Sequence, residues 1–362
     1  MTSYLLAGGG TAGHVNPLLA LADEIRKREP KASIWALGTR EGLEVRLVPE
    51  RGYSLLTIAR LPFPRRLNLA ALQFPKRFFA AVAEVESMLA DHQVDVVVGF
   101  GGYAAAPAYW AARRAKVPFV VHEANALPGL ANRVGARFAA AVGVCFANTK
   151  LPGAQVTGMP IRAELVALQR KRDSQKAKQH FGLGAGKTLL VTGGSLGAKR
   201  INDTITSCLA EFAAADLQVL HITGERADLP EVKSKQLVRM SYCNEMALAV
   251  AAADFAVARA GASTVAEFSA VGLPAIYVPY PVGNGEQRFN LMQVQAAGGA
   301  IAVADAEFTP EYVKTKLIPL LADQQKIEQM AKSAGSVGIA DGATRLYRLI
   351  RGVLNPIKDS AV

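Results

Sequence analysis

Short apolar runs alternate with longer amphipathic stretches along almost the whole chain. In the first half the runs lie at residues 4–7, 33–37, 94–98, 119–122 and 141–144, with helical patterns such as 17–28 and 104–115 between them. Runs so poor in polar positions suit strands of a parallel sheet, because helices cover both faces and neither side meets water. The second half repeats the arrangement, with runs at 188–191, 219–223, 255–258 and 275–278, each followed by a helical pattern. This alternation predicts an α/β chain. Asn16 stands where it can cap the helix 17–28, and Pro17 falls at the first helical position, where a missing N–H costs nothing. A last amphipathic segment, 340–353, closes the pattern.

The 362 residues exceed what one ordinary core organises. The turn Gly158-Met159-Pro160, followed by the charged run 169–179, puts a boundary near 158–166, so we expect domains over 1–160 and 161–339. Each half opens on the same device. Tyr4-Leu5-Leu6-Ala7 runs into Gly8-Gly9-Gly10-Thr11-Ala12-Gly13-His14, and Thr188-Leu189-Leu190-Val191 leads to Gly193-Gly194-Ser195-Leu196-Gly197. Glycine lets backbone N–H groups approach an anion, and the N-terminus of the following helix adds about half a positive charge. The pair of turns predicts two nucleotide-type halves facing one cleft.

With 51% hydrophobic and 20% charged residues, the composition is that of a globular chain and excludes disordered and fibrous classes. Cys145, Cys208 and Cys243 are an odd set without metal or redox spacing, which argues against a disulfide framework and for a reducing compartment. No basic residue precedes the first apolar run, so it does not read as a signal peptide. No apolar stretch reaches the ~18 residues of a bilayer span, and a cytoplasmic protein is expected. The formal net charge of +11 adds an acidic partner: nucleic acid, anionic lipid or a polyphosphate. Between Glu50 and Glu84 there is no acidic residue, while Arg60, Arg65, Arg66, Lys76 and Arg77 lie among Phe63, Phe74, Phe78, Phe79 and several leucines. Basic groups rimming Phe and Leu suit an anionic membrane interface better than a nucleic acid. A core helix with a solvated basic face would show the same periodicity, and the sequence alone does not separate the two.

Gly8-x-Gly10-x-x-Gly13 has the spacing of a dinucleotide fingerprint, which expects an acidic residue at the end of the second strand. That strand ends Leu37-Gly38-Thr39-Arg40, so NAD does not fit, while Arg40 leaves NADP open. His14 is either a capping loop residue or an imidazole at the ligand-binding edge of a sheet, with a reference pKa of about 6.5 suited to accepting a proton. Thr264 and Glu267 admit two readings as well. Thr264-x-x-Glu267 is a capping box, or Glu267 receives hydrogen bonds from two vicinal ribose hydroxyls.

Five motifs in order carry a resemblance to a known family: residues 8–14, Gly101-Gly102-Tyr103 with Pro107, His122-Glu123 with Asn125, residues 193–198, and Arg259 to Glu267. Over nearly its whole length the chain resembles the MurG family of bacterial peptidoglycan synthesis. The resemblance implies a GT-B glycosyltransferase, α/β in class, with two Rossmann-like domains facing a central cleft and a helix over 340–355 packing back on the first domain. It implies inverting transfer of N-acetylglucosamine from UDP-GlcNAc to the C4 hydroxyl of the N-acetylmuramyl sugar of lipid I, giving lipid II. His14 would be the catalytic base. Thr11, Ala12, Gly13 and Asn125 would lie near the donor sugar, and Arg162 and Ser195 at its diphosphate. The backbone of Cys243 would read uracil, Ala262, Ser263, Thr264 and Glu267 would hold ribose and phosphate, and Gln287 the sugar hydroxyls. Tyr103, His122 and Glu123 would face the acceptor. Phe63, Arg65, Arg66, Phe74, Lys76, Arg77, Phe78 and Phe79 would form a membrane patch.

The resemblance further implies no metal and no cofactor, in agreement with the lack of an Asp-x-Asp motif. The second glycine turn would then offset the charge of the leaving diphosphate. Expected partners are UDP-GlcNAc, lipid I, anionic inner-leaflet lipids and cell-wall synthesis proteins, without nucleic acid, at the cytoplasmic face of the bacterial membrane. Two rival readings stay open: another UDP-sugar enzyme of the same fold, either a glycolipid glycosyltransferase or an epimerase, and an NADP-dependent reductase.

Overall fold

A computed structural model of the chain describes residues 1–64, 69–169, 173–282 and 284–355, with Ala12 and residues 69–71 described by backbone alone. The chain forms two compact units, Met1–Arg162 together with the segment from Asp341, and Ala163–Ala340.

The first unit is built on a seven-stranded sheet: β1 (Ser3–Ala7), β2 (Ser33–Thr39), β3 (Ser54–Ile58), β4 (Val96–Gly99), β5 (Phe119–Glu123), β6 (Ala141–Val144) and β7 (Ala154–Val156). The spatial order is β3-β2-β1-β4-β5-β6-β7, and every neighbouring pair is parallel. Side chains alternate between the faces. Leu5, Leu37 and Val97 enter one buried cluster, while Tyr4, Leu6, Val96 and Val98 enter another on the opposite side. The helix Gly342–Leu354 belongs to this unit, with Leu346 and Ile350 fully buried in the second cluster. One carboxylate oxygen fastens it: Oε1 of Glu29 accepts from the hydroxyls of Tyr4 and Tyr347, both at 2.8 Å, and lies 3.2 Å from Nη1 of Arg351. The first helix runs Ala12–Arg28 with Thr11 as its extended N-cap, so the expected start at Pro17 with Asn16 as cap is corrected and Pro17 lies inside it. The fold tolerates this because Pro17 is still close to the N-terminus, and its missing N–H removes only one early helical bond.

The second unit carries β8 (Lys187–Thr192), β9 (Leu217–Ile222), β10 (Val232–Lys233), β11 (Leu237–Met240), β12 (Phe255–Ala258), β13 (Ala275–Tyr277) and β14 (Ala300–Ala302). Its order is β10-β11-β9-β8-β12-β13-β14, parallel except where β10 meets β11. Leu189, Val191, Val219, Phe255 and Val257 form the centre of its core together with Phe212 and Phe308. Among the described residues no helix is long and apolar enough to cross a membrane.

Candidate active site

Open parallel sheets bind ligands at the carboxyl ends of their strands, where the strand order reverses. In the first unit that point lies between β1 and β4, and in the second between β8 and β12. The glycine turns follow β1 and β8, so each stands at its own reversal.

In the first unit His14 is the third residue of the helix Ala12–Arg28. Its Nδ1 lies 3.2 Å from Oγ1 of Thr11. Thr11 makes no side-chain cap to the backbone, so its hydroxyl attends to the imidazole instead. Desolvation by the surrounding protein lowers the His14 pKa below 6.5, against smaller opposing effects of a hydrogen bond to the Gly9 backbone and the charge of Glu44. The loop after β4 closes over the turn with Gly101 and Gly102 at φ of +90° and +80°. A Cβ at Gly102 would stand 2.6 Å from the Gly9 carbonyl oxygen, and one at Gly101 would stand 3.3 Å from Nε2 of His14. Two glycines are therefore required where these loops meet.

A cavity of about 640 Å³ opens beside His14 and is lined by Tyr103, Glu123 and Asn125 as well as by Phe63, Phe74, Phe78 and Trp110. Tyr103 is half-buried beneath Arg60, whose guanidinium carbon lies 4.8 Å from the ring centre. Glu123 is almost fully buried and accepts from the backbone N–H of Asn125 at 2.8 Å, that of Gly129 at 3.0 Å, and Nδ2 of Asn132 at 2.9 Å. Burial nevertheless raises its pKa. Glu123 thus braces the loop that presents Asn125. The expectation for His122 is corrected: its ring is fully buried, Nε2 lies 3.0 Å from the Gly158 carbonyl, and desolvation lowers its pKa to about 4. A β5 side chain on the inner face of the sheet cannot touch an acceptor. Arg162 follows the Gly158 turn at the end of the same unit and is half-buried.

The basic aromatic segment is divided between core and surface. Phe74 and Phe78 lie on the helix Leu69–Asp91 and pack against the core, whereas Phe63, Leu72 and Phe79 are 61%, 79% and 49% exposed. Phe63 meets Phe74 at 5.4 Å between ring centres, and Phe78 meets Trp110 at 6.2 Å. Lys76 and Arg77 are exposed beside them. Arg65 and Arg66 lie outside the described residues.

In the second unit Ser195 sits half-buried in the glycine turn, and its carbonyl accepts from the Glu225 N–H at 3.0 Å. The helix that follows, Lys199–Ser207, has no capping side chain. After the neighbouring β12, the helix Ala262–Val271 starts on Gly261, also without a side-chain cap. Thr264 is its third residue, so the capping box is not formed, and Glu267 falls in the second turn, 8% exposed. The reason is that Gly261 takes the extended cap conformation three residues earlier than Thr264 would. Ser263 Oγ is buried with no hydrogen-bond partner among the described residues, which leaves a polar group at this helix start for a ligand. Gln287 is oriented by accepting from the Tyr280 N–H at 2.9 Å through Oε1, which turns its amide N–H₂ away from that bond. Arg259 fixes the same loop: Nη1 donates to the carbonyls of Val278 and Pro279 and lies 2.6 Å from Asp305. Cys243 lies half-buried in the loop after β11, at the same carboxyl edge as Ser195.

The sequence reading missed three residues of this architecture. Asn132 ties Glu123 to Tyr109, whose hydroxyl donates to Oδ1 at 2.7 Å. Arg259 was visible only as part of a motif. Glu44, buried beneath the first glycine turn, accepts from the Gly10 N–H at 2.8 Å. Its signal in the sequence is an acid just after Gly38 and Gly42, glycines that leave room for a side chain. Among the described residues, no three His, Cys, Asp or Glu side chains converge as a metal site would require.

Comparison with known proteins adds names to this geometry. Residues 4–144 match the glycosyltransferase family 28 N-terminal domain, and residues 188–346 match the glycosyltransferase family 28 C-terminal domain. A protein of Clavibacter sepedonicus named UDP-N-acetylglucosamine–N-acetylmuramyl-(pentapeptide) pyrophosphoryl-undecaprenol N-acetylglucosamine transferase is 57% identical, over 97% of this chain and 96% of its own. One of the same name from Leifsonia xyli is 55% identical over 97% and 98%. The crystal structure of Acinetobacter baumannii MurG superposes with a TM-score of 0.76 at 26% identity, covering 97% of this chain and 99% of that one.

Proposed function

This chain belongs to glycosyltransferase family 28, and we propose that it transfers N-acetylglucosamine from UDP-GlcNAc to the C4 hydroxyl of the muramyl sugar of lipid I, forming lipid II with inversion. The fold class is GT-B, with two Rossmann-like α/β units. The observation that carries the reading is the cavity shared by His14, Tyr103 and Asn125 at the β1/β4 reversal, polar at His14 and aromatic along Phe74, Phe78 and Trp110. An acceptor that is a sugar on a polyprenyl diphosphate asks for both characters in one place.

Inversion is a single in-line displacement, so a base must take the acceptor proton while the leaving UDP is stabilised on the opposite side of the anomeric carbon. His14 fits the base. Its lowered pKa keeps the imidazole neutral at pH 7, and the Thr11 hydroxyl steadies Nδ1, so that Nε2 would be the nitrogen that accepts from the C4 hydroxyl. Thr11, Ala12, Gly13 and Asn125 would border the donor sugar, and Tyr103 the acceptor. Glu123 acts on the acceptor side by holding the Asn125 loop. On the leaving side, Ser195 and the uncapped helix Lys199–Ser207 would receive the growing charge of the diphosphate, together with Arg162. Ala262, Ser263, Thr264 and Glu267 would hold ribose and phosphate, Cys243 the uracil through its backbone, and Gln287 the sugar hydroxyls. This chemistry calls for no metal or cofactor.

The exposed Phe63, Leu72 and Phe79 beside Lys76 and Arg77 support a peripheral site on an anionic inner-leaflet membrane, at the cytoplasmic face where lipid I is presented. Cell-wall synthesis proteins are the natural neighbours there. Incubation with UDP-GlcNAc, with and without a lipid-linked muramyl-pentapeptide, tests the reading while UDP release, epimer formation and NADPH oxidation are followed in parallel. UDP release that depends on the muramyl lipid is expected. Epimer formation or NADPH oxidation without it would favour the rival enzymes.

A further inference from the structure

A glycine-rich turn at the start of a parallel sheet ordinarily offers its N–H groups to a ligand phosphate. Here an amide of the first turn is already taken. Glu44 begins the short helix Glu44–Glu50 and is 1% exposed. One carboxylate oxygen, Oε2, accepts from the Gly10 N–H at 2.8 Å, and the other, Oε1, accepts from the Thr39 N–H at 2.7 Å and the Thr39 hydroxyl at 2.9 Å. Three glycines make the space. A Cβ at Gly9, Gly38 or Gly42 would run into this carboxylate. Among the described residues no Lys or Arg is ion-paired with it, so its polar contacts are the three donors of the turn and of the end of β2.

We propose that Glu44 is a positioning residue for glycosyl transfer: a protein carboxylate that fills the first glycine turn from below, so that the turn serves as a fixed seat for His14 and not as a diphosphate pocket. The inference rests on the assignment of His14 as base. Its physical content is that a buried carboxylate with three donors holds a loop far more firmly than the loop's own backbone does. The held amide, Gly10, is four residues from the imidazole, and the Gly9 carbonyl that bonds the ring is next to it. Of the titratable groups near His14, Tyr103, Tyr109, Arg113 and Glu123 share its cavity, while Glu44 is the one whose charge acts on the ring and favours its protonated form. The absence of an acid at the end of β2 then has a meaning. The acid stands a few residues later and turns inward, to the loop, where a dinucleotide-binding chain turns it outward to a ribose.

The test is Glu44→Gln in the full chain, assayed with UDP-GlcNAc and lipid-linked acceptor across pH. Gln must point an N–H₂ at one of the donors that the carboxylate accepted, which loosens the turn. We expect kcat to fall about 10- to 100-fold with the KM for UDP-GlcNAc within twofold. The acidic limb of the kcat profile should move to lower pH, because the charge that favours the imidazolium is gone. A folded variant with wild-type kcat and an unmoved limb would overturn the proposal, and if His14→Ala is still inactive, the assignment of the base survives that failure. Should Glu44→Gln not fold, the unaltered protein decides. The Gly10 amide resonance should stay unmoved under saturating UDP and inorganic diphosphate while the amides of residues 194–196 shift. A Gly10 amide that shifts with diphosphate would overturn the inference.

Discussion

Thr11 Oγ1 lies 3.2 Å from Nδ1 of His14, so the residue that caps the first helix also steers the side chain proposed as the base. The helix N-terminus and the desolvated surroundings both favour the neutral imidazole. A base must be neutral to act, so activity rises with pH through the His14 pKa. The acidic limb of kcat should therefore have its midpoint below 6.5, with a plateau at pH 7. Thr11→Ala should lower kcat about 3- to 10-fold without changing the KM for UDP-GlcNAc. Stopped or continuous assay of UDP release over pH 5 to 8, roughly the range in which histidine titrates, checks both.

His122 should contribute to the loss of stability in acid. Folded, its pKa is about 4, below the ordinary 6.5, so the unfolded chain binds the proton first as pH falls. Stability is thus fully present above 6.5 and is lost as pH drops toward 4, by roughly 3 kcal/mol at most. His221, pushed to about 3 by burial in the second unit, acts in the same direction. Thermal melts of His122→Gln should show a flatter fall of Tm between pH 6.5 and 4 than the parent protein. A parallel fall would show that His122 does not carry the effect.

The aromatic segment divides into residues that hold the fold and residues that face outward. Phe63→Ser with Phe79→Ser should weaken sedimentation with anionic vesicles severalfold, leaving Tm and UDP binding nearly unchanged. Phe78→Ser removes a ring packed between Phe74, Phe79 and Trp110, and should cost about 2 to 3 kcal/mol of stability. Vesicle binding that is indifferent to the Phe63 and Phe79 pair would remove the membrane from the account.

Donor recognition should follow the start of the helix Ala262–Val271. Glu267→Gln should weaken UDP binding about 10-fold or more, and Ser263→Ala about 3-fold, as measured by calorimetry with UDP. Unchanged affinity in both would place the nucleotide elsewhere.

Much of this was legible in the chain, and the limits have physical causes. Strands buried on both faces announce themselves, as at 255–258, where the apolar run and β12 coincide. Strands β3, β7, β10, β11 and β14 did not, because they are at most five residues long and, apart from β14, carry polar or charged residues such as Ser54, Gln155, Lys233 and Arg239. The helix start at Ala12 was hidden by Pro17, whose usual place at a first position argues for a later start than the glycine turn imposes. Spacing put His14 and Ser195 at the two glycine turns and Glu267 on the helix after β12, where the structure has them, since those residues sit on the motifs themselves. The family resemblance put His122 toward the acceptor, whereas its strand position sends the ring inward, and the local pattern held no sign of the contacts made by Glu44, Asn132 or Arg259. These three act through bonds to loops distant in sequence, which no local pattern records.

The central claim is that His14 activates the acceptor of a lipid-dependent N-acetylglucosaminyl transfer. Transfer of labelled N-acetylglucosamine to a lipid-linked muramyl-pentapeptide, measured for the parent chain and His14→Ala at saturating donor, tests it most directly. The account predicts a β-linked disaccharide lipid from the parent chain and a rate about 100-fold lower or more in the variant, with UDP affinity preserved. A variant that turns over at nearly the parental rate would contradict it.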